Sequence, residues 1–289
     1  MNPLVSIVIP YYNRIPKVLN SIDSVFKQSY ENWELILIDD CSIENKTAIE
    51  NVEIGPQNQS ITHLTNKTNK GPGFSRNRGI DTSKGQYLLF LDSDDSIKPR
   101  FLERLVGKGA EDTLFVYCTS KWSDGQIYKN SNKIFEYALP TLLSENRPWH
   151  TSSILWNKKF IAYFDVSLRN WEDYLFEFKS ALNMNRIGFV NQSLVCINND
   201  SVNGLSILSE SESGLLDRVK ALDLMLVELE SIVNPSIKKL DLRRLLVKKF
   251  IHFYLKLNNR RTYEFQSLLL KYIPKSKLVL LLIKKALSV

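Results

Sequence analysis

Residues 87–95, Tyr-Leu-Leu-Phe-Leu-Asp-Ser-Asp-Asp, join an unbroken apolar run to three carboxylates. The run is too short for a stable helix and is rich in aromatic and branched side chains, which predicts a strand buried on both faces inside a parallel sheet. Like charges packed at the end of such a strand repel one another. A hard divalent cation would remove this repulsion, because carboxylate oxygens are the ligands that Mg²⁺ and Mn²⁺ prefer. The stretch therefore favours an α/β fold with a metal site at the end of an internal strand.

The three carboxylates, Asp92, Asp94 and Asp95, also have a simpler interpretation. They could form a solvated acidic turn that caps the next helix, with Pro99 in its first turn. Ligand sites in open α/β sheets, however, lie beyond the carboxyl ends of the strands. The packed like charges and their position at a strand end together favour a metal site over a capping turn.

Composition and cysteine content limit the class of protein. At 289 residues and 44% hydrophobic content, the chain can bury one large core or two modest ones. Its cysteines, Cys41, Cys118 and Cys196, are far apart and odd in number, so they indicate neither a disulfide framework nor a zinc knuckle. The first residues lack the pattern of a secretory signal, and no apolar run approaches the ~18–20 residues that span a bilayer. We therefore expect a cytosolic protein.

The positive charge of the chain is concentrated in one segment. Residues 235–289 contain 14 Lys and Arg against 2 Asp and Glu, a charge of +12, so the total of +7 leaves −5 for residues 1–234. A mildly acidic body with a strongly basic tail predicts an anionic partner surface, either a membrane or a nucleic acid.

Strands and helices alternate along the first half of the chain. This alternation predicts right-handed crossovers and a mainly parallel, Rossmann-like sheet with helices on both faces. An amphipathic helix is expected after Pro16, a second helix after the glycine-rich loop at Gly71, and a helix-like stretch over 148–156. The predicted strands cover residues 4–10, 34–38, 61–64, 87–91, 113–119 and 187–197.

Two other α/β folds also place acidic residues at strand ends. Dinucleotide-binding folds need a G-x-G-x-x-G turn after the first strand, whereas this chain has Pro10-Tyr-Tyr-Asn-Arg14, without glycine. A phosphatase of the haloacid dehalogenase type would carry its D-x-D nucleophile on the first strand, whereas here the strand is internal and Ser96 follows the aspartates at once. Neither fold matches the pattern.

Four segments, in order, resemble the motifs of one enzyme family. They are Val5-Ser-Ile-Val-Ile-Pro-Tyr-Tyr-Asn13, Ile38-Asp-Asp-Cys-Ser42, Gly71-Pro-Gly-Phe-Ser-Arg-Asn-Arg-Gly79 and Phe90-Leu-Asp-Ser-Asp-Asp95. Together they resemble the family 2 glycosyltransferases of GT-A fold over residues 1–110. The resemblance implies transfer of a sugar from a nucleotide diphosphate donor, with Mn²⁺ or Mg²⁺ and with inversion of the anomeric centre. The departures are Cys41, where the family usually has Gly or Asn, and Ser75, where Ala is usual.

The resemblance also implies roles for single residues at the donor. Pro10, Tyr11 and Asn13 would contact the nucleotide, with Pro10 and Tyr11 beside the base. Asp40 would accept the imide N–H of uracil, which makes a UDP-sugar the preferred donor. Arg76 would lie near the base or the diphosphate.

In the acidic turn, the resemblance implies that Asp94 and Asp92 hold the metal. Asp92 would also meet the ribose or a metal-bound water, while Ser93 and Asp95 contact the donor and Asp95 is a further possible ligand. Asp39, by contrast, is expected to be structural, buried at its strand end and bonded to neighbouring backbone N–H groups. A metal held by aspartates would offset the negative charge that develops on a leaving nucleoside diphosphate.

A second acidic pair, Glu172 and Asp173, begins an amphipathic helix, where acidic residues are favoured by the helix dipole alone. The family has its general base in a Glu-Asp pair at the matching place, and an inverting displacement needs a carboxylate to take the acceptor hydroxyl's proton. The resemblance thus implies Asp173 as base, with Glu172 assisting or binding the acceptor. Trp149 and His150 lie where the family contacts the sugar or acceptor, although a packed tryptophan and a hydrogen-bonded histidine are the simpler interpretation.

The predicted organisation has two parts. Residues 1–204 form the catalytic domain, in which 1–110 bind the nucleotide sugar and 111–204 carry the acceptor side and the base. Residues 205–289 form a basic helical extension. Its apolar stripes with adjacent lysines predict peripheral membrane contact through 235–289, unless they pack on the catalytic domain. No nucleic-acid-binding module is recognisable.

We therefore expect an inverting, metal-dependent glycosyltransferase at the inner face of the cytoplasmic membrane. It would add a sugar to a glycan or lipid-linked glycan during capsule or lipopolysaccharide (O-antigen-type) synthesis. Two alternatives stay open. A non-catalytic nucleotide- or glycan-binding relative would have the same fold, although the presence of Asp40, Asp94 and Asp173 argues against it. A hydrolase using the same carboxylates would consume the donor without any acceptor.

Overall fold

The structure is a computed structural model, and it describes residues 2–52, 59–109, 111–128, 135–143, 147–198, 211–231, 246–247 and 249. The strands are β1 Val5–Tyr11, β2 Trp33–Asp39, β3 Ser60–Thr65, β4 Tyr87–Phe90, β5 Ser96–Ile97, β6 Phe115–Trp122, β7 Ile154–Asn157 and β8 Ile187–Ile197. The helices are α1 Ile15–Phe26, α2 Thr47–Glu50, α3 Pro72–Thr82, α4 Phe101–Val106, α5 Ala138–Leu143, α6 Glu172–Asn183 and α7 Glu212–Ser231.

The described strands form one sheet with the order β3-β2-β1-β4-β7-β6-β8-β5. Four of its neighbouring pairs are parallel, namely β1 with β2, β1 with β4, β2 with β3, and β6 with β8. The pairs β4–β7, β6–β7 and β5–β8 are antiparallel. The predicted α/β fold is confirmed, and its parallel half contains the three strands whose ends carry the predicted donor motifs.

The predicted helix-like stretch over 148–156 is wrong. Its second half is the strand β7, which lies between β4 and β6, and only Thr151–Ser153 form a short 3-10 turn. All four residues of β7 are buried. A buried segment this short has no periodicity that separates a strand from a helix.

Helices cover both faces of the parallel half of the sheet. Ile7 and Ile9 of β1 pack in the apolar core that also contains Val18 of α1. Successive strand residues face opposite sides, so Val8 lies on the other face. There α3 approaches β1 closely, since a Cβ on Gly79 would come within 2.3 Å of Val8 Cγ1. Glycine at this position brings the helix that carries Arg76 directly against the central strands.

The chain divides into two compact units. The first comprises Met1–Val166 and Ser180–Asn199, and the second comprises Ser167–Lys179 and Asp200–Val289. Segment 167–179 belongs to the second unit, although the sequence predicts it in the catalytic domain. The division into domains 1–204 and 205–289 stays a prediction. The basic segment 235–289 lies outside the described residues except for positions 246, 247 and 249. Within the described part of the chain, no helix is both long and apolar enough to cross a membrane.

Candidate active site

The carboxyl ends of β1, β2 and β4 meet at one edge of the sheet, because these strands run parallel. Asn13 connects the first two of these ends. Its backbone N–H donates to Ser42 Oγ at 2.7 Å, and its side-chain Oδ1 accepts the N–H groups of Ile43 at 2.9 Å and Glu44 at 3.2 Å. The side chain therefore braces the loop after β2, and its predicted contact with the donor stays a prediction.

Asp40 is buried at the end of β2, and its carboxylate holds the glycine-rich loop. Oδ1 accepts the Asn66 Nδ2 amide at 2.7 Å and the Lys70 N–H at 2.9 Å, and Oδ2 accepts the Gly71 N–H at 2.7 Å. A carboxylate has about four acceptor positions, so these three bonds leave room for one further donor. A single imide N–H of a base would match that capacity.

Asp39 is structural, as expected from the sequence. Its Oδ1 accepts the Ser42 N–H at 2.7 Å, and its Oδ2 lies 2.5 Å from Lys46 Nζ. Burial opposes ionisation of this carboxyl, but the hydrogen bonds from Lys46 and Ser42 outweigh the burial and lower the pKa of Asp39. The charged carboxylate thus fixes the loop after β2.

Tyr11 and Tyr12 have opposite environments at the end of β1. Tyr11 is 5% exposed and belongs to the apolar core, where burial raises the pKa of its phenol. Tyr12 is 44% exposed. The aromatic ring available to a ligand is therefore that of Tyr12, which we did not select from the sequence. Its position directly after the predicted strand 4–10 could have suggested it, because ligand sites in open α/β sheets lie beyond the carboxyl ends of the strands.

Arg76, on α3, is held against the acidic turn. The side chain is 6% exposed, and its guanidinium donates to Asp92 Oδ1 at 2.8 Å. The guanidinium carbon also lies 5.4 Å from the centroid of the Phe164 ring, a cation–π distance. Asn77 fixes Phe164 through two hydrogen bonds, accepting its N–H at 2.8 Å and donating to its carbonyl at 2.9 Å. Arg76 is thus a buried, oriented cation at the edge of the candidate site.

Asp92, Asp95 and His150 form the group best suited to a cation among the described residues. One ligand atom from each lies within 4.8 Å of the other two. Ser152 connects the two aspartates, since its Oγ donates to Asp95 Oδ2 at 2.6 Å and accepts the Asp92 N–H at 3.1 Å. The N–H of Asn198 donates to Asp95 Oδ1 at 3.1 Å. The bonds from Ser152 and Asn198 orient the Asp95 carboxylate, and the guanidinium of Arg76 orients that of Asp92 before any ion binds.

His150 presents an acceptor atom to this group. Its Nδ1 accepts the Ser152 N–H at 3.4 Å and lies 3.4 Å from Asp95 Oδ2. An imidazole nitrogen that accepts an N–H carries a lone pair, so two acceptor atoms face each other. Either a proton or a metal cation between them would make this contact favourable. A divalent cation fits, because neutral imidazole and carboxylate oxygens are both metal ligands. The single lone pair of Nδ1 would then bind the cation in place of the Ser152 N–H.

The electrostatics of the acidic turn also favour a bound cation, because its buried and half-buried carboxylates lie near one another. Asp95 is 2% exposed, and burial, with the negative charge of Asp92, raises the pKa of its carboxyl well above the usual range. Burial and Asp92 also raise the pKa of Asp94, which the nearby guanidinium of Arg14 partly offsets. Asp94 Oδ2 lies 3.3 Å from Arg14 Nη1, outside the group of three. The structure thus groups Asp92 with Asp95 and His150. Asp94, the predicted metal ligand, is instead paired with the guanidinium of Arg14.

The remaining predicted residues are distributed differently. Ser93 is half-buried in the acidic turn, and Pro10 is buried in β1. Trp149 is fully buried, with its ring centroid 5.1 Å from that of Phe115 and 5.2 Å from that of Tyr117. Such packing leaves no face for a sugar, so of the two interpretations of Trp149 the structure has the packed tryptophan.

Glu172 and Asp173 begin α6, within the part of this helix that belongs to the second unit. The preceding residue, Trp171, has a left-handed backbone with φ of 64°. A bulky residue in this region is strained and marks a position that its surroundings hold in place. The acidic pair therefore follows a sharply defined turn, and its role as base stays a prediction.

Curated relatives and solved structures are similar to this chain over most of its length. The chain is 28% identical over 182 residues to WcaA of Escherichia coli (strain K12), a protein named for colanic acid biosynthesis. The match covers 60% of this chain and 64% of WcaA, so the chain spans less than two thirds of the length of that relative. It is 29% identical over 199 residues to the Escherichia coli UDP-Glc:alpha-D-GlcNAc-diphosphoundecaprenol beta-1,3-glucosyltransferase WfgD, covering 67% of this chain and 75% of that protein.

The fold is similar to that of S. aureus TarS 1-349 in complex with UDP-GlcNAc. The TM-score is 0.69 at 21% identity, covering 91% of this chain and 77% of that one, which confirms the predicted GT-A fold. The family model "Glycosyl transferase family 2" matches residues 6–168, more than half of the chain. The match includes the first motif from Ser6 onward, the other three motifs completely, and the group formed by Asp92, Asp95 and His150. The chain belongs to the family 2 glycosyltransferases.

Proposed function

We propose that the protein transfers a sugar from a UDP-sugar to a glycan or lipid-linked glycan in bacterial polysaccharide synthesis, with inversion of the anomeric centre. The observation that carries this proposal is the group of Asp92, the buried Asp95 and His150, which lies beside Arg76 at the edge where β1, β2 and β4 end. Relatives support the substrate class. The name of WfgD gives UDP-Glc as donor and a diphosphoundecaprenol-linked sugar as acceptor, and TarS was crystallised with UDP-GlcNAc.

Asp92, Asp95 and His150 would hold the divalent cation. Two carboxylates and one imidazole favour Mn²⁺ over Mg²⁺, because Mg²⁺ prefers a shell made of oxygen atoms alone. A bound cation supplies positive charge that offsets the charge developing on the leaving diphosphate. Arg76, fixed by Phe164 and Asp92, would add a second positive charge on the same side.

The nucleotide would bind across the ends of β1 and β2. Asp40 has acceptor capacity for the imide N–H of uracil, and the exposed ring of Tyr12 would stack on the base. On the acceptor side, Asp173 would take the proton of the attacking hydroxyl, and Glu172 would assist it or bind the acceptor. Inversion then requires only one displacement, with no covalent sugar intermediate.

The alternatives differ in measurable products. A panel of nucleotide sugars, screened by thermal shift with Mn²⁺ present, identifies the donor, and donor consumption is then followed with and without glycan acceptors. We expect UDP-sugars to stabilise the protein and consumption to depend on an acceptor. Consumption that needs no acceptor indicates a hydrolase, and binding without any consumption indicates a non-catalytic relative. If no nucleotide sugar binds with Mn²⁺, the proposal is wrong.

The place of action proposed here is the inner face of the cytoplasmic membrane. Support comes from the charge of +12 on residues 235–289 and from the lipid-linked acceptor in the name of WfgD. Basic segments of this kind contribute about 1 kcal/mol for each Lys or Arg near anionic lipid. Flotation of the full chain with anionic and with neutral liposomes tests the proposal, and equal behaviour in the two would contradict it.

Replacing Tyr12 by Ala is expected to weaken UDP binding about tenfold, because stacking of a base on an aromatic ring contributes roughly 1–3 kcal/mol. Tyr12→Phe keeps the ring and should bind UDP nearly as well as the unchanged protein. Titration calorimetry with UDP and Mn²⁺ measures both values. Tyr137→Ala, at another exposed tyrosine, is the control and should leave UDP affinity unchanged. Equal affinity of Tyr12→Ala and the control would exclude the stacking role.

A further inference from the structure

We propose that helix α7, beyond the residues matched by the family model, positions the turn that carries the catalytic acidic pair. The turn comprises Arg169, Asn170 and Trp171, directly before Glu172 and Asp173, and the helix acts through Asp217 and Arg218. All of these residues belong to the second unit. The inference rests on the proposed function, because it assumes that Asp173 is the base.

Asp217 holds the backbone of the turn. It is 7% exposed, and its Oδ2 accepts the N–H of Arg169 at 3.2 Å and the N–H of Asn170 at 3.1 Å. Two adjacent backbone donors on one carboxylate oxygen fix the peptide planes on both sides of Arg169. Hydrogen bonds to an ionised acceptor are about twice as strong as those between neutral groups, so these contacts resist local opening of the turn.

Arg218 holds the next residue of the turn. Its guanidinium carbon lies 5.4 Å from the centroid of the Trp171 ring, and that ring lies 4.6 Å from the ring of Tyr174 on α6. The Trp171 carbonyl accepts the Leu175 N–H at 3.1 Å, which makes Trp171 the entry to the helix. Consecutive residues of α7 thus fix the backbone of the turn and the side chain at its end.

The strain at Trp171 explains why such fixation is needed. A left-handed backbone is unfavourable for a residue with a side chain, so the conformation persists only where neighbouring contacts impose it. Without the contacts to Asp217 and Arg218, the turn would relax towards an ordinary backbone. The first residues of α6, Glu172 and Asp173, would then change direction. A displacement of about 1 Å at a reacting group can lower a rate about 100-fold.

Asp217 and Arg218 are therefore positioning residues that touch neither donor nor acceptor in the proposed mechanism. Asp217→Ala is expected to lower kcat about tenfold or more while the UDP dissociation constant and the KM for the donor stay unchanged. Asp217→Asn keeps one acceptor oxygen and should recover part of the loss. Arg218→Met should lower kcat by a smaller factor. Hydrogen exchange at the amides of Arg169 and Asn170 should become faster in Asp217→Ala, which reports the released turn without any assay of activity.

Two comparisons separate positioning from general stability. Glu228→Ala removes the ion pair between Glu228 Oε1 of α7 and Lys179 Nζ of α6, which are 3.2 Å apart. Lys179 lies in a later turn of α6 than the acidic pair, so this variant should leave kcat unchanged. In an Asp173→Asn background, Asp217→Ala should cause no further loss of kcat, because the base it positions is already absent. A merely structural role would lower kcat in both backgrounds and weaken UDP binding as well, and either result would overturn the inference.

Failure of the inference is distinguishable from failure of the proposed function. If the unchanged protein transfers no sugar, or if Asp173→Asn is fully active, the proposed function or its base is wrong. If the unchanged protein is active and Asp173→Asn is not, but Asp217→Ala retains full kcat and slow amide exchange, the inference alone is wrong. Thermal unfolding of each variant shows whether it is folded, and the milder Asp217→Asn keeps the test valid if the alanine variant unfolds.

Discussion

Replacing Asp95 by Asn is expected to weaken Mn²⁺ binding at least about 100-fold and to remove Mn²⁺-dependent binding of UDP. The substitution takes away one of three ligand groups and its negative charge, whereas changes in residues that only orient a ligand already cost 10–100-fold. Titration calorimetry or electron paramagnetic resonance of free Mn²⁺ measures the affinity. Donor binding is then measured with and without Mn²⁺ in the same variant.

The same substitution is not expected to destabilise the fold. Burial and the charge of Asp92 raise the pKa of the Asp95 carboxyl, which means that the ionised form is unfavourable in the folded protein. An asparagine has no such charge, and its side-chain oxygen can still accept the hydrogen bond that Ser152 gives to Asp95 at 2.6 Å. Its NH2 group cannot accept the Asn198 N–H, which is 3.1 Å from Asp95 Oδ1, so the loss of this hydrogen bond opposes the gain from removing the charge. We therefore expect Asp95→Asn to unfold at nearly the same temperature as the unchanged protein when no cation is present. Loss of metal affinity together with loss of stability would indicate a structural role instead.

Asp94→Ala is the matched comparison, because it removes a neighbouring carboxylate that pairs with Arg14 and lies outside the group of three. We expect a smaller loss of Mn²⁺ affinity than in Asp95→Asn, and His150→Ala should lie closer to Asp95→Asn. The reverse order would support the ligand set that the family resemblance implies, Asp92 with Asp94. If neither aspartate changes cation affinity, no metal is held at this turn and the proposed mechanism loses its basis.

The fold was predictable where the apolar pattern is strong. The runs that became β1, β2 and β4 are fully buried and end in polar residues, so both their type and the edge at which they meet could be predicted. β7 was not predictable, because its four buried residues fit a helix as well as a strand. Its antiparallel insertion beside β4 depends on pairings with residues far away in sequence, and no local propensity encodes them.

The candidate site was predictable as a set of segments but not as a set of contacts. The sequence shows three aspartates in four residues, yet which of them face His150 is decided by Ser152 and the Asn198 N–H, both more than 50 residues away. The same limit applies to Asp217, whose hydrogen bonds reach back 48 and 47 residues to the turn before α6. Motif resemblance identifies residue types at a site, whereas partners from distant segments determine the orientation of each group.

Replacing Asp173 by Asn is expected to lower kcat by about 10²–10⁴, the contribution that a positioned general base makes to a reaction. Asparagine has nearly the same shape but cannot accept the hydroxyl proton of the acceptor. The first turn of α6 favours a charged carboxylate, because the helix N-terminus carries a partial positive charge. Single-turnover transfer to a glycan acceptor measures the loss.

The binding measurements decide whether this loss is catalytic. Asp173→Asn should bind UDP and Mn²⁺ as tightly as the unchanged protein, since the donor groups Asp40, Tyr12 and Asp95 belong to the other unit. Glu172→Gln is the comparison at the adjacent position, and it should raise the KM for the acceptor more than it lowers kcat. If Glu172→Gln shows the large fall in kcat and Asp173→Asn does not, the two roles are exchanged. If neither variant loses turnover, the acidic pair is explained by the helix dipole alone, and the base must be another residue.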